Sequence, residues 1–177
     1  SALNVEVNNR QDALPVDVDA LATAVREVLW QAGIRRADVS LAVVDNAEIR
    51  IHNARYLQHD YATDTLSFLL EHRGDYLEGQ LIVSVEMAAQ QAGKYGWQAD
   101  DELMLYVIHA ALHLVGYDDH APEDAAEMRR QEQRHLGLLG RQLPEALDAG
   151  SAGDEAEATG HLATEGATHS IRRGPRA

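Results

Sequence analysis

With 177 residues, no cysteine and a formal net charge of −14, the chain has no means of forming a disulfide framework or a thiolate metal site, so any transition metal must be held by His, Asp and Glu. Its acidity argues against non-specific grip on nucleic acid, which comes largely from Lys and Arg neutralising phosphates. No apolar run approaches a membrane span, and no basic-then-apolar leader opens the chain, so the expectation is a soluble, cytoplasmic protein.

Leu3 to Val7 alternates apolar and polar residues and predicts a strand. Pro15, Asp17 and Asp19 open a helix carrying Leu21, Val25, Val28 and Leu29 at helical spacing, which Gly33 closes. Val39 to Val44 predicts a second strand, and Asp45 or Asn46 caps a helix through Ile49 and Tyr56. Thr65 to Leu70 and Leu81 to Val85 predict two more strands, and Met87 to Tyr95 a short helix ending at Gly96. Asp100 or Asp101 is expected to cap the next helix, which runs through Leu103, Val107 and Leu114. That helix is apolar nearly all round and should be central and buried. Pro122 stands at the start of a last helix, with Glu123 and Asp124 in its first turn.

From 145 to 177 the composition turns to Ala, Gly, Thr, Ser and acids, too poor in apolar groups to offset the entropy of ordering, and predicts a disordered tail behind a domain at 1–144. Alternating elements followed by helices predict an α+β domain, a small mixed sheet of about four strands packed with helices. His52, His72 and His135 have no ligand-like spacing and are expected on the surface or on helix faces.

The chemistry concentrates in His109-Ala110-Ala111-Leu112-His113-Leu114-Val115-Gly116-Tyr117-Asp118-Asp119-His120. Residues at i and i+4 share one helix face, so the two imidazoles lie together. Gly116 suits a left-handed helix stop that turns the chain back, bringing Asp118, Asp119 or His120 toward them. Two imidazoles and one further ligand leave an open position on zinc, the arrangement of a catalytic site. Zinc peptidases with a helical histidine pair place a glutamate directly after the first histidine as general base; here that position is Ala110, which argues against that mechanism. The nearest replacement bases are Asp118, or whichever of Asp119 and His120 does not bind metal.

The segment resembles the HGxLHLxGYDH signature of the YbeY-type endoribonucleases. Asn53, Tyr56, Asp60 and Thr63-Asp64-Thr65-Leu66-Ser67-Phe68 are similar to that family's N-x-x-Y-R…D-x-x-T-D-V-L-S-F block. Gly79 through Met87-Ala88, Gln91-Ala92 and Tyr95-Gly96 are similar to its strand-plus-helix segment. The resemblance covers roughly residues 3–140. It implies a small zincin-like α+β fold around a metal-bearing helix, one zinc per chain, cleavage of single-stranded RNA, and a role in small-subunit rRNA 3′-end maturation and ribosome quality control.

It also implies metal ligands at His109 and His113. Asp119 occupies the slot of the family's third histidine, and Met128 keeps the family's offset from Tyr117, which favours Asp119 as third ligand with His120 as the alternative. The family's arginine after the tyrosine falls here on Leu57, which has no group to bind a phosphate oxygen; Arg55 and His59 are the nearest cationic replacements. Asp64 and Ser67 are expected to line the metal cleft. Leu57 motivates a second reading, a ribosome-assembly factor with weak or no nuclease activity. A metal hydrolase with a non-RNA substrate is a third, because the motifs specify a metal site and not a leaving group.

Overall fold

The computed structural model describes residues 2–57 and 64–142. The tail expected from 145 onward, and with it the domain boundary at 144, lies outside them, as does His59. The elements run β1 (Leu3–Asn9), α1 (Val18–Gln31), β2 (Arg36–Val44), α2 (Asn46–Leu57), β3 (Thr65–Arg73), β4 (Tyr76–Ser84), α3 (Val85–Tyr95), α4 (Ala99–Leu114) and α5 (Pro122–Leu138). The strands form one mixed sheet in the order β1-β2-β4-β3, with β1, β2 and β4 parallel and β3 antiparallel to β4. This is the α+β architecture that the element pattern predicts.

The sheet buries both faces unequally, as the two-residue period of its strands allows. Leu3, Val5, Val39, Leu41, Leu77, Leu81 and Val83 join the main core with α1 and α4. On the opposite face Val44, Leu66 and Ile82 cluster with Ile49 of α2, flanked by Ala42 and Phe68. α4 lies at the centre, in contact with β3, β4, α1, α3 and α5. Its residues from Glu102 to Leu112 are all buried, which explains why it carries no polar stripe. The Trp97 indole N–H donates to the buried Glu102 carboxylate at 2.6 Å, and the Tyr106 hydroxyl donates to the Met87 carbonyl at 3.2 Å, tying the helix to α3 and its loop. Among the described residues no helix is long and apolar enough to cross a membrane.

Several boundaries differ from the sequence expectations for local reasons. β4 begins at Tyr76 rather than Leu81, because Gly79 is an in-sheet residue paired with Val39 and Leu69 and not a break. Val85 opens α3, capped by the Ser84 hydroxyl, which accepts from the Met87 N–H at 3.3 Å. Neither Asp100 nor Asp101 caps α4. Gln98 holds that position without a side-chain bond, while both aspartates lie in the first turn and accept from the Arg141 guanidinium at 2.8 Å each. Asp45 does cap α2, its carboxylate accepting from the Glu48 N–H at 2.8 Å. His135, expected on the surface or on a helix face, lies on the inward face of α5 and is buried, with Met128 and Leu136. His72 is exposed.

Candidate metal centre

The site is assembled at the C-terminal end of α4. Gly116, at φ 107°, ends the helix with the N–H of Gly116 donating to the His113 carbonyl and that of Tyr117 to the Leu112 carbonyl, both at 3.0 Å. This paired closure uses the left-handed conformation that glycine adopts without strain and reverses the chain within two residues. Asp119 is thereby carried back over the turn of α4 that presents His109 and His113.

The three side chains converge. The His109 and His113 Nε2 atoms are 3.0 Å apart, His109 Nε2 lies 3.6 Å from Asp119 Oδ2, and His113 Nε2 lies 3.5 Å from Asp119 Oδ1. The two nitrogen–oxygen separations are long for hydrogen bonds. They suit a shared cation instead: bonds of the length zinc makes to His and Asp put neighbouring tetrahedral ligands about 3.4 Å apart. The donor set therefore fits a divalent metal, and His109, His113 and Asp119 form a group that could hold one.

The rings are placed edge to face, with centroids 4.5 Å apart. Behind them, the buried Glu132 carboxylate of α5 sits with Oε1 2.9 Å from His109 Nδ1. Burial pushes the His109 imidazole down, but the Glu132 bond and the charges of Glu132, Asp119 and Asp64 outweigh it and hold the ring above its ordinary value. His113 is lowered, by burial first and then by the charge of His109, with Asp119 pulling the other way. Asp119 loses solvent too, which opposes ionisation, yet His113, His109 and His120 around it hold its carboxyl well below the usual carboxylate range. The third position is thus an ionised carboxylate between two imidazoles.

His120 stands apart from this cluster. Its ring is exposed, with Nε2 3.6 Å from Asp118 Oδ1. Asp118, Asp119 and His120 make a second, more open group of ligand-type atoms that shares Asp119 with the first. Asp118 is exposed, and its Oδ1 also accepts from the Asp119 N–H at 2.7 Å. Asp64 is buried near His109, its Oδ1 accepting from the Thr65 N–H at 3.0 Å. Ser67 is fully buried, and its hydroxyl donates to the Ala110 carbonyl at 3.1 Å, bracing α4 against β3. Arg55 is exposed near the end of α2. Sequence reasoning missed Glu132. Its only signal is that it lies one helical turn beyond Met128 on the inward face of α5.

Comparison with known proteins gives the family and the fold. The family model described as Endoribonuclease YbeY matches residues 6–140. A Rhodopirellula baltica protein named Endoribonuclease YbeY is 39% identical over 137 residues, covering 76% of this chain and 71% of its own. A protein of the same name from Carboxydothermus hydrogenoformans is 37% identical over 139 residues, covering 76% and 96%. The solution structure of a Thermotoga maritima protein superposes with a TM-score of 0.55 at 20% identity, over 86% of this chain and 99% of that one, which shows a shared fold. With the family model spanning both arms of the histidine cluster, β1 through α5, the chain belongs to the YbeY endoribonuclease family.

Proposed function

We propose that this protein is a zinc-dependent endoribonuclease that cleaves single-stranded RNA and acts in small-subunit rRNA 3′-end maturation and ribosome quality control in the cytoplasm. Family membership supports RNA cleavage. The observation that carries the metal dependence is the convergence of His109 Nε2, His113 Nε2 and an Asp119 carboxylate within 3.6 Å of one another. When bound there, zinc supplies Lewis acidity toward a phosphodiester oxygen.

The chain's own residues supply the rest. His109 and His113 present nitrogen lone pairs from one face of a helix anchored in the core, so the site is rigid before a ligand arrives. Asp119 contributes a negative charge that offsets part of the cation's. Asp118, exposed beside the cluster, is the carboxylate assigned to accept a proton from the attacking group. Arg55 and His59, on either side of Leu57 in sequence, are assigned to phosphate contacts, and Asp64, whose charge acts on His109, to the lining of the cleft.

The test is metal content per chain by elemental mass spectrometry on wild type, Asp119→Ala and His120→Ala, followed by cleavage of single-stranded against duplex RNA. About one zinc in wild type and His120→Ala, with none in Asp119→Ala, is expected. Loss in His120→Ala alone would overturn the ligand assignment, and a wild type that stays metal-free after reconstitution would overturn the zinc dependence.

Leu57 favours a second reading, because an aliphatic side chain stands where the family resemblance calls for arginine. On that reading the protein binds assembling small subunits without cleaving RNA. Association with small-subunit particles that survives His109→Ala/His113→Ala, together with no cleavage by the zinc-loaded wild type, is its expected signature.

A further inference from the structure

Glu132 is a buried ionisable group, in contact with the histidine cluster, that the mechanism above leaves without a role. It is 5% exposed, it belongs to α5 and not to the helix of the histidine pair, and its Oε1 lies 2.9 Å from Nδ1 of His109, itself 1% exposed. We infer that Glu132 is the positioning residue for His109, fixing the imidazole in the tautomer that carries its hydrogen on Nδ1 and turns the Nε2 lone pair toward His113 and Asp119. The inference rests on the reading that these three side chains hold a metal.

The argument is one of exclusion at two atoms. A neutral imidazole has one hydrogen and one lone pair, on different nitrogens. Placing the hydrogen on Nε2 would leave the Nδ1 lone pair facing a carboxylate oxygen at 2.9 Å in a site closed to water, a repulsive contact with nothing to relieve it. Placing it on Nδ1 makes that contact a charge-assisted hydrogen bond and frees Nε2 to ligate. With both rings neutral, the 3.0 Å contact between the two Nε2 atoms then takes its hydrogen from His113. The two histidines are therefore unequal: His109 is preset as a ligand by Glu132, whereas His113 must give up an Nε2 hydrogen when a metal arrives.

The bond also spans two helices, so a readout separate from folding is needed. Nitrogen-15 NMR of the imidazoles in metal-free full-length protein, at a pH where the rings are neutral, reports the tautomers directly. Zinc affinity, read by competition with a chromophoric chelator, is compared among wild type, Glu132→Gln and Glu132→Ala. The expected result is hydrogen on Nδ1 of His109 and Nε2 of His113 in wild type, and a loss of about 10- to 100-fold in zinc affinity with Glu132→Ala. Glu132→Gln, whose amide oxygen accepts the same hydrogen, keeps the His109 tautomer and binds zinc more tightly than the alanine variant.

Hydrogen on Nε2 of His109 in wild type would overturn the inference. So would alanine and glutamine variants that lose affinity equally, or an alanine variant that binds as wild type does. If Glu132→Ala does not fold, the wild-type tautomer and the glutamine variant still decide. A wild type that binds no zinc would remove the metal reading alone, because the tautomer is measured without metal.

Discussion

Gly79→Ala tests whether the sheet and the histidine-bearing helix are packed as closely as the structure shows. A Cβ at Gly79 would lie 2.5 Å from Leu114 Cδ1, 2.9 Å from Leu114 Cδ2 and 3.1 Å from the Phe68 carbonyl oxygen. Leu114 is the last residue of α4 and is 1% exposed, so its methyls have little free space to retreat into. Overpacking of this kind costs about 1–3 kcal/mol. Against it stands the backbone benefit of replacing glycine within a strand, roughly 0.5–1 kcal/mol. The clash wins, and a net destabilisation of about 1–2 kcal/mol is expected from urea unfolding followed by circular dichroism. The mechanism is separable from a general dislike of alanine at this position. Leu114→Ala alone should cost about 2–5 kcal/mol, but in that background the two closest contacts are gone, only the 3.1 Å approach to the Phe68 carbonyl oxygen remains, and the penalty of Gly79→Ala should shrink. The same penalty in both backgrounds would refute the reasoning and move the cause to the sheet backbone.

Ser84→Ala removes both the N-cap of α3 and a hydroxyl that donates to Asn46 Oδ1 at 2.6 Å, so a loss of about 1–2 kcal/mol is expected in the same unfolding assay; a change under a few tenths would show that the cap is dispensable. Ser67→Ala deletes the bond to the Ala110 carbonyl at 3.1 Å and should cost about 1 kcal/mol, leaving zinc affinity within about twofold of wild type because the carbonyl keeps its helical partner. His135 gives a pH dependence. Burial, aided by the charge of Arg134 and opposed by Glu27, holds its imidazole below the ordinary value of 6.5, so the unfolded chain takes up a proton before the folded one does. Its contribution is fully present above about pH 6.5 and is lost as the pH falls through the folded-state value. His135→Leu should therefore flatten the fall in urea stability between about pH 7 and 5, and a variant profile parallel to wild type would refute it.

What was legible in the sequence is what depends on local spacing. The pairing of His109 with His113 follows from helical periodicity, and the turn that returns Asp119 follows from Gly116, whose φ of 107° is a glycine conformation. The caps at Asp17 and Asp45 are local as well, each carboxylate bonding an N–H three residues on. Gly79 shows where local reasoning stops. A glycine inside a strand pattern reads as a break until a neighbour is known to press on it, and the neighbour here, Leu114, is 35 residues away in sequence. Asp100 and Asp101 likewise read as caps because nothing nearby indicates that Arg141 claims both.

Glu132 and His135 failed to stand out for one shared reason. α5 is polar in composition, rich in Glu, Arg and Gln, and such a helix reads as a solvated surface element on which a glutamate or a histidine means little. Its inward face is narrow: Met128, Glu132, His135 and Leu136 are the residues it buries, and two of the four are ionisable. One of those two reaches across to His109, and the other feels the charge of Glu27 on α1. Burying two polar side chains on an otherwise solvated helix is costly for folding unless their polar atoms find partners. For Glu132 the hydrogen bond to His109 supplies the compensation, and it does so only if α5 docks on α4. The docking of the last helix and the orientation of the His109 ring are therefore one event, and without α5 that ring would lose the carboxylate to which we assign its tautomer.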